Sequence, residues 1–185
     1  MKTTNNFFSL VILLTVFCSC NDTQQKNQSD IFQDTFITDT TIGVFYIGAD
    51  IGKIISVTKT PYDIKNEKYI IEGGSQTIYN VYQSGQKIIS FYPNEKDSTK
   101  IFRISIYNSK FKTHEGVAVG STLGELKSKY TVDLISTEGE GGLEIQVKGH
   151  KMFFILDNSK ISKDWWQSMD TKNVPDSIPI DEIIL

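Results

Sequence analysis

Cysteine and histidine, the side chains that most readily ligate metals or serve as nucleophile and base, are few in this 185-residue chain. Cys18 and Cys20 stand two positions apart, and the two histidines, His114 and His150, lie far from each other. Neither histidine has a partner at a metal-ligand spacing, so both read as solvated surface residues and no metal site is expected. Glu138 and Glu140 fall in "TEGEGG", 137–142. That stretch lacks the Asp/Asn-rich spacing of a calcium loop and reads as a hairpin turn. No nucleophile–base set is visible and no carboxylate pair is singled out, so the expectation is no catalytic residue and no cofactor. The candidate binding pair is Trp165 and Trp166, adjacent in "ISKDWWQSMDTKNVPDSIP", 161–179. They serve either as a cover over an apolar sheet face or as an aromatic anchor for a protein or glycan. Being adjacent, they cannot both fill one pocket; one should be buried and the other partly exposed.

The cysteines close an N-terminal pattern. Lys2 is the one charge in residues 1–6, and "FFSLVILLTVF", 7–17, is apolar apart from Ser9 and Thr15. A short apolar run after a basic start is a secretory signal, too short for the roughly 20 residues of a membrane span. The following "FCSC" resembles the lipobox of bacterial lipoproteins, which implies cleavage before Cys20 and acylation of its sulfur and amino group. Ser19 and Cys18 fit the small positions before it, and Phe17 departs from the usual aliphatic residue. Removing those 19 residues, one lysine among them, leaves 166 residues with 18 basic and 22 acidic side chains, a net charge of −4. Mild acidity without a Lys/Arg stripe argues against nucleic acid. With a single lipidated cysteine left, no internal disulfide forms and the core alone stabilises the domain. Residues 20–35 read as a lipid-anchored tether, because "NDTQQKNQSDIFQD" is too polar to order itself.

The remainder, 36–185, reads as a single α+β domain of two divergent copies, about 36–112 and 113–185. "YIGADIGKI", 46–54, matches "AVGSTLGEL", 118–126, and "VYQSGQKIISFYPNEK", 81–96, matches "IQVKGHKMFFILDNSK", 145–160, in the same order. The first copy is eight residues longer between matched glycines, with "PYDIKNEK", 61–68, as the expected insert. Asp50 is placed to cap a helix bearing Ile51, Ile54 and Ile55 on one face. Thr122 and Glu125 form a capping box before Leu123, Leu126 and Tyr130. A two-residue turn at Lys148-Gly149 would pair Ile145 with Met152. It would put Leu143, Ile145, Val147, Met152, Phe154 and Leu156 on one face. Ser84-Gly85 would make the matching turn, with Tyr79, Val81, Ile88 and Tyr92 inward and Ile89, Phe91, Phe153 and Ile155 on the opposite face. Phe102, Ile104 and Ile106 read as inward, and "IPIDEIIL" as the closing strand. The expected fold is one twisted antiparallel sheet with both helices on one face.

The lipobox, the "GVAVGSTLGEL" entry into the second helix and the Ile-rich closing strand together resemble small outer-membrane lipoproteins of the RpoE-regulated type. The tandem strand–helix modules are also similar to beta-lactamase-inhibitor-like domains, which bind proteins. The first resemblance implies an envelope lipoprotein, anchored by lipid in the outer membrane, and transfers no active site. The expected function is a non-catalytic binding module for another protein or an envelope polymer. The alternative is an enzyme acting on envelope glycan or lipid with carboxylates in a cleft between the copies.

Overall fold

The two expected helices begin where their caps dictate. In the computed structural model, which describes residues 31–71, 74–139 and 142–185, Asp50 accepts a hydrogen bond from Lys53 N (3.3 Å) and opens α1, Ile51–Val57. Thr122 accepts from Glu125 N (3.2 Å) while Glu125 reaches back to Thr122 N (2.8 Å), completing the capping box of α2, Leu123–Lys129. Ile51, Ile54, Leu123 and Leu126 are buried, but Ile55 is exposed.

The expectation of a single sheet covered by two helices is corrected. Strands β1 (Phe36–Ile37), β2 (Thr41–Ile42), β3 (Phe45–Tyr46) and β8 (Lys112–Thr113) form a four-stranded sheet of their own, ordered β3-β2-β1-β8. The large sheet takes β4 (Tyr62–Ile71), β5 (Gly74–Gln83), β6 (Gln86–Pro93), β7 (Ile101–Ile106), β9 (Val132–Gly139), β10 (Gly142–Val147), β11 (Phe153–Leu156) and β12 (Ile180–Ile184). A third helix, α3 (Lys163–Ser168), holds both tryptophans. Among the described residues the chain is mainly β, with helices of only six or seven residues. One or two turns of helix cannot cover eight strands, and the small sheet supplies apolar cover instead. Its Phe45 sets its ring edge-on to Phe91 of β6 at 5.0 Å. Phe32 stands against both Phe45 and Tyr62. Buried at 3 % exposure, Phe32 belongs to the core and not to a tether reaching residue 35.

The large sheet runs β4-β5-β6-β7-β12-β11-β10-β9, a palindrome about the β7–β12 seam with every pair antiparallel. Backbone bonds repeat across it. Gly48 N donates to Ile101 O and Gly120 N to Ile180 O, both at 2.8 Å; Ile51 N donates to Thr99 O and Leu123 N to Ile178 O, both at 2.9 Å. Gly48 and Gly120 hold φ of +88° and +89°, which a residue with a Cβ adopts only under strain. The eight extra residues are not an insert at 61–68, which is the body of β4. Two lengthen the α1–β4 connection and six lengthen the β4–β5 hairpin.

Three registers differ from simple alternation. Ser84-Gly85, both at positive φ, does make the two-residue turn, pairing Gln83 with Gln86 and Tyr82 with Lys87. A bulge then pairs Val81 with Ile89, so Ile88 and Ile89 are both fully buried and the later faces reverse. Ile89 and Phe91 join the core face, and Tyr92 turns away from it. A second bulge, between Tyr92 and Pro93 opposite β7, brings Ile101 inward and leaves Phe102 63 % exposed, the reverse of expectation. The β10–β11 turn is wider than two residues and pairs Ile145 with Phe154 instead of Met152. That slip of two preserves side-chain parity, so Leu143, Ile145, Val147, Met152, Phe154 and Leu156 are all buried together.

Candidate functional site

The face of the large sheet turned away from the core carries a polar and aromatic surface. Along its middle, Asn80 (β5), Ser90 (β6) and Ser105 (β7) lie side by side, since Asn80 pairs with Ser90 and Ser90 with Ser105. All three are buried, and Ser90 Oγ donates to Asn80 Oδ1 at 2.6 Å. Buried polar groups on a sheet are costly unless bonded. Ser105 Oγ has no partner of regular geometry among the described residues. It does lie near enough to Glu182 to draw that carboxylate towards its charged form.

Larger side chains wall this floor. On one side stand Lys87, Tyr107 and Glu182, and on the other Tyr92 and Arg103. The hydroxyl of Tyr107 lies within hydrogen-bonding reach of those of Tyr92 and Ser90. Each ring carries a cation: Lys87 Nζ lies 4.1 Å from the centre of the Tyr107 ring and the Arg103 guanidinium 3.7 Å from that of Tyr92. A third pair, Lys65 over Tyr82 at 4.9 Å, continues the row towards β4. Burial raises the Tyr107 pKa, with help from the Glu182 charge. Burial also raises that of Glu182, against the pull of Ser105, Arg103 and Lys87.

Where β5, β6 and β7 end, this face opens into a cleft of about 480 Å³. Tyr69, Tyr92 and Phe102 supply its aromatic rings, Gln76 and Asn94 its amides, and Glu95, Lys96 and Arg103 its charges. Gln76 Nε2 donates to Pro93 O. The rim is built by its own side chains. Asn94 Oδ1 accepts from Lys96 N (2.8 Å) and Asp97 N (3.2 Å), and Asp97 accepts from Thr99 N (3.1 Å) and its hydroxyl (2.6 Å).

The residues singled out from sequence lie elsewhere. Trp165 is buried in the core cluster, its Nε1 donating to Asp170 O at 3.2 Å, and Trp166 stands edge-on to it, half-buried against the core. His114 stacks on Phe36. His150 Nδ1 lies 3.0 Å from Asp39 Oδ1, beside Tyr130, whose hydroxyl donates to Glu115. This cluster, which sequence reading did not find, ties the β1–β2 turn to the β10–β11 turn across 111 positions. Cys20 lies outside the described residues, as does Glu140; strand pairing of Gly139 with Gly142 brackets the expected turn. Among the described residues no group of three or more His, Cys, Asp or Glu is placed to hold a metal ion, and no helix is long and apolar enough to cross a membrane.

No family model matches the chain, and no curated protein does. A solved structure shares its fold. This is the uncharacterized protein YfeY from Escherichia coli, at a TM-score of 0.60 and 13 % identity over 81 % of this chain and 98 % of that one. At that identity the likeness speaks for the fold alone.

Proposed function

We propose that this protein is a lipid-anchored binding module of the bacterial envelope, held in the outer membrane through Cys20. It would present the outer face of its large sheet to an envelope polymer or protein. The observation that carries this reading is the row of cation-on-tyrosine pairs leading into a cleft with a pre-set rim. Rigid aromatic and arginine side chains are the usual anchors of recognition surfaces. The resemblance to RpoE-regulated lipoproteins supports the location. One observation favours the enzymatic alternative, since Glu182 sits at the seam between the halves with a raised proton affinity, as a general acid requires. The exposed cleft and the cation-on-tyrosine row beside it support binding more directly.

The test is a photo-crosslinking residue placed at Phe102 or Leu134, both exposed on the outer face, with Val44 of the small sheet as control. Envelope adducts from Phe102 and Leu134, and none from Val44, are expected in growing cells. Adducts from Val44 alone would overturn the reading.

A further inference from the structure

We infer that the cleft at the β5–β6–β7 end of the outer face binds a saccharide carrying a carboxylate and N-acetyl groups. This rests on the binding-module reading and narrows its ligand. A sugar ring offers a flat face of C–H bonds and an equator of polar groups. It therefore needs an aromatic plate with hydrogen-bonding side chains around it. The cleft has that arrangement. Phe102 and Tyr69, 63 % and 39 % exposed, hold ring surface in contact with solvent, while Gln76 and Asn94, whose Nε2 and Oδ1 already bond the rim backbone, bring their other amide atoms, Oε1 and Nδ2, to an acetamido group. Its volume of about 480 Å³ lies within the range of small-ligand sites. An apolar peptide side chain would call for a closed apolar pocket instead. Arg103 and Lys96 outnumber Glu95 in the lining, and the Arg103 guanidinium carbon lies 3.7 Å from the Tyr92 ring centre; it already faces the Glu182 charge, and its planar fork matches a carboxylate.

The palindromic sheet offers a comparison of the two rims. The counterpart of Asn94 in the second half, Asn158, is placed differently. Asn158 lies over Gly142, its Oδ1 accepting from Leu143 N at 3.2 Å, so closely that a Cβ at Gly142 would stand 1.9 Å from its amide nitrogen. The chain then continues into α3 instead of a short turn. Because the Asn94 and Asp97 turns hold the rim already formed, little ordering is left for a ligand to impose.

The experiment is calorimetric titration of the full chain, solubilised in a detergent without a sugar headgroup. The probes are a tetrasaccharide of alternating N-acetylglucosamine and N-acetylmuramic acid, and its neutral counterpart chitotetraose. The acidic tetrasaccharide should bind at least tenfold more tightly than the neutral one. Phe102→Ala should weaken its binding about tenfold with an unchanged melting temperature, and Arg103→Gln should erase the preference for the acidic sugar. Failure of the acidic tetrasaccharide to bind, equal binding of the two sugars, or unaltered binding by Phe102→Ala would each overturn the inference. Crosslinks from Phe102 to a protein, with neither sugar binding, would leave the binding module standing and remove the saccharide.

Discussion

Replacing Phe91 with alanine tests the reading of both faces of the sheet. Phe91 is fully buried and meets Phe45 of the small sheet ring to ring. A phenylalanine buries roughly 150–200 Å² of apolar surface, worth about 4–5 kcal/mol at about 25 cal/mol/Å². This agrees with the roughly 3–5 kcal/mol usual for such truncations. At about 2–4 °C per kcal/mol for a chain of this size, the melting temperature should fall by roughly 6–20 °C. Phe102→Ala, eleven positions on, should cost within about 0.5 kcal/mol as a surface change. Uninterrupted alternation would make Phe102 the costly one. Urea titration followed by tryptophan fluorescence gives both values. A double-mutant cycle with Phe45→Ala should show coupling of about 0.5–1.5 kcal/mol, the share of the ring contact between the sheets. A larger loss for Phe102→Ala than for Phe91→Ala would refute the bulge assignments and the outer face built on them.

Two further outcomes are expected. Cys20→Ser should abolish palmitate labelling and release the protein from membrane fractions, while Cys18→Ser should not; loss of label in Cys18→Ser alone would move the cleavage site. For Glu182 the folded pKa is raised, chiefly by burial, so the folded state binds the proton more readily and ionisation opposes folding at neutral pH. That opposition is lost as pH falls through its raised folded pKa towards the ordinary glutamate value. Glu182→Gln should therefore melt higher than the parent at pH 7, and the gap should close in acid. A lower melting temperature for Glu182→Gln at pH 7 would mean that Lys87 and Arg103 outweigh the cost of burial.

What sequence reading reached, and what it missed, divides by the range of the interaction. Caps act within four residues, so Asp50 and the Thr122–Glu125 box were legible, as was the Ser84-Gly85 turn. Parity protected the β10–β11 face even though its pairing slipped by two. Bulges were invisible because Lys87-Ile88-Ile89 has the same apolar pattern with or without one. Pro93, lacking an N–H to give to a ladder, was the available warning at the second bulge. The two-residue strands of the small sheet are too short to show a period, which hid the second sheet. The cleft draws Tyr69, Gln76, Tyr92 and Phe102 from four strands, and only the register brings them together. The adjacent tryptophans advertised themselves by type, yet Trp165 went to the core and Trp166 to its margin.

The palindrome also sets an order of events during synthesis. β12 follows every other described strand along the chain, yet it lies at the centre of the large sheet, between β7 and β11. Until it emerges, the first half can form its meander only with β7 as an open edge, presenting unpaired backbone beside Ile104 and Ile106. Such an edge is a template for strands of other chains. Backbone bonds in both directions between Ile104 and Leu185, at 3.1 and 2.9 Å, close that edge. The nascent protein is therefore most exposed to aggregation just before β12 inserts, when a chaperone that shields edges would be of most use.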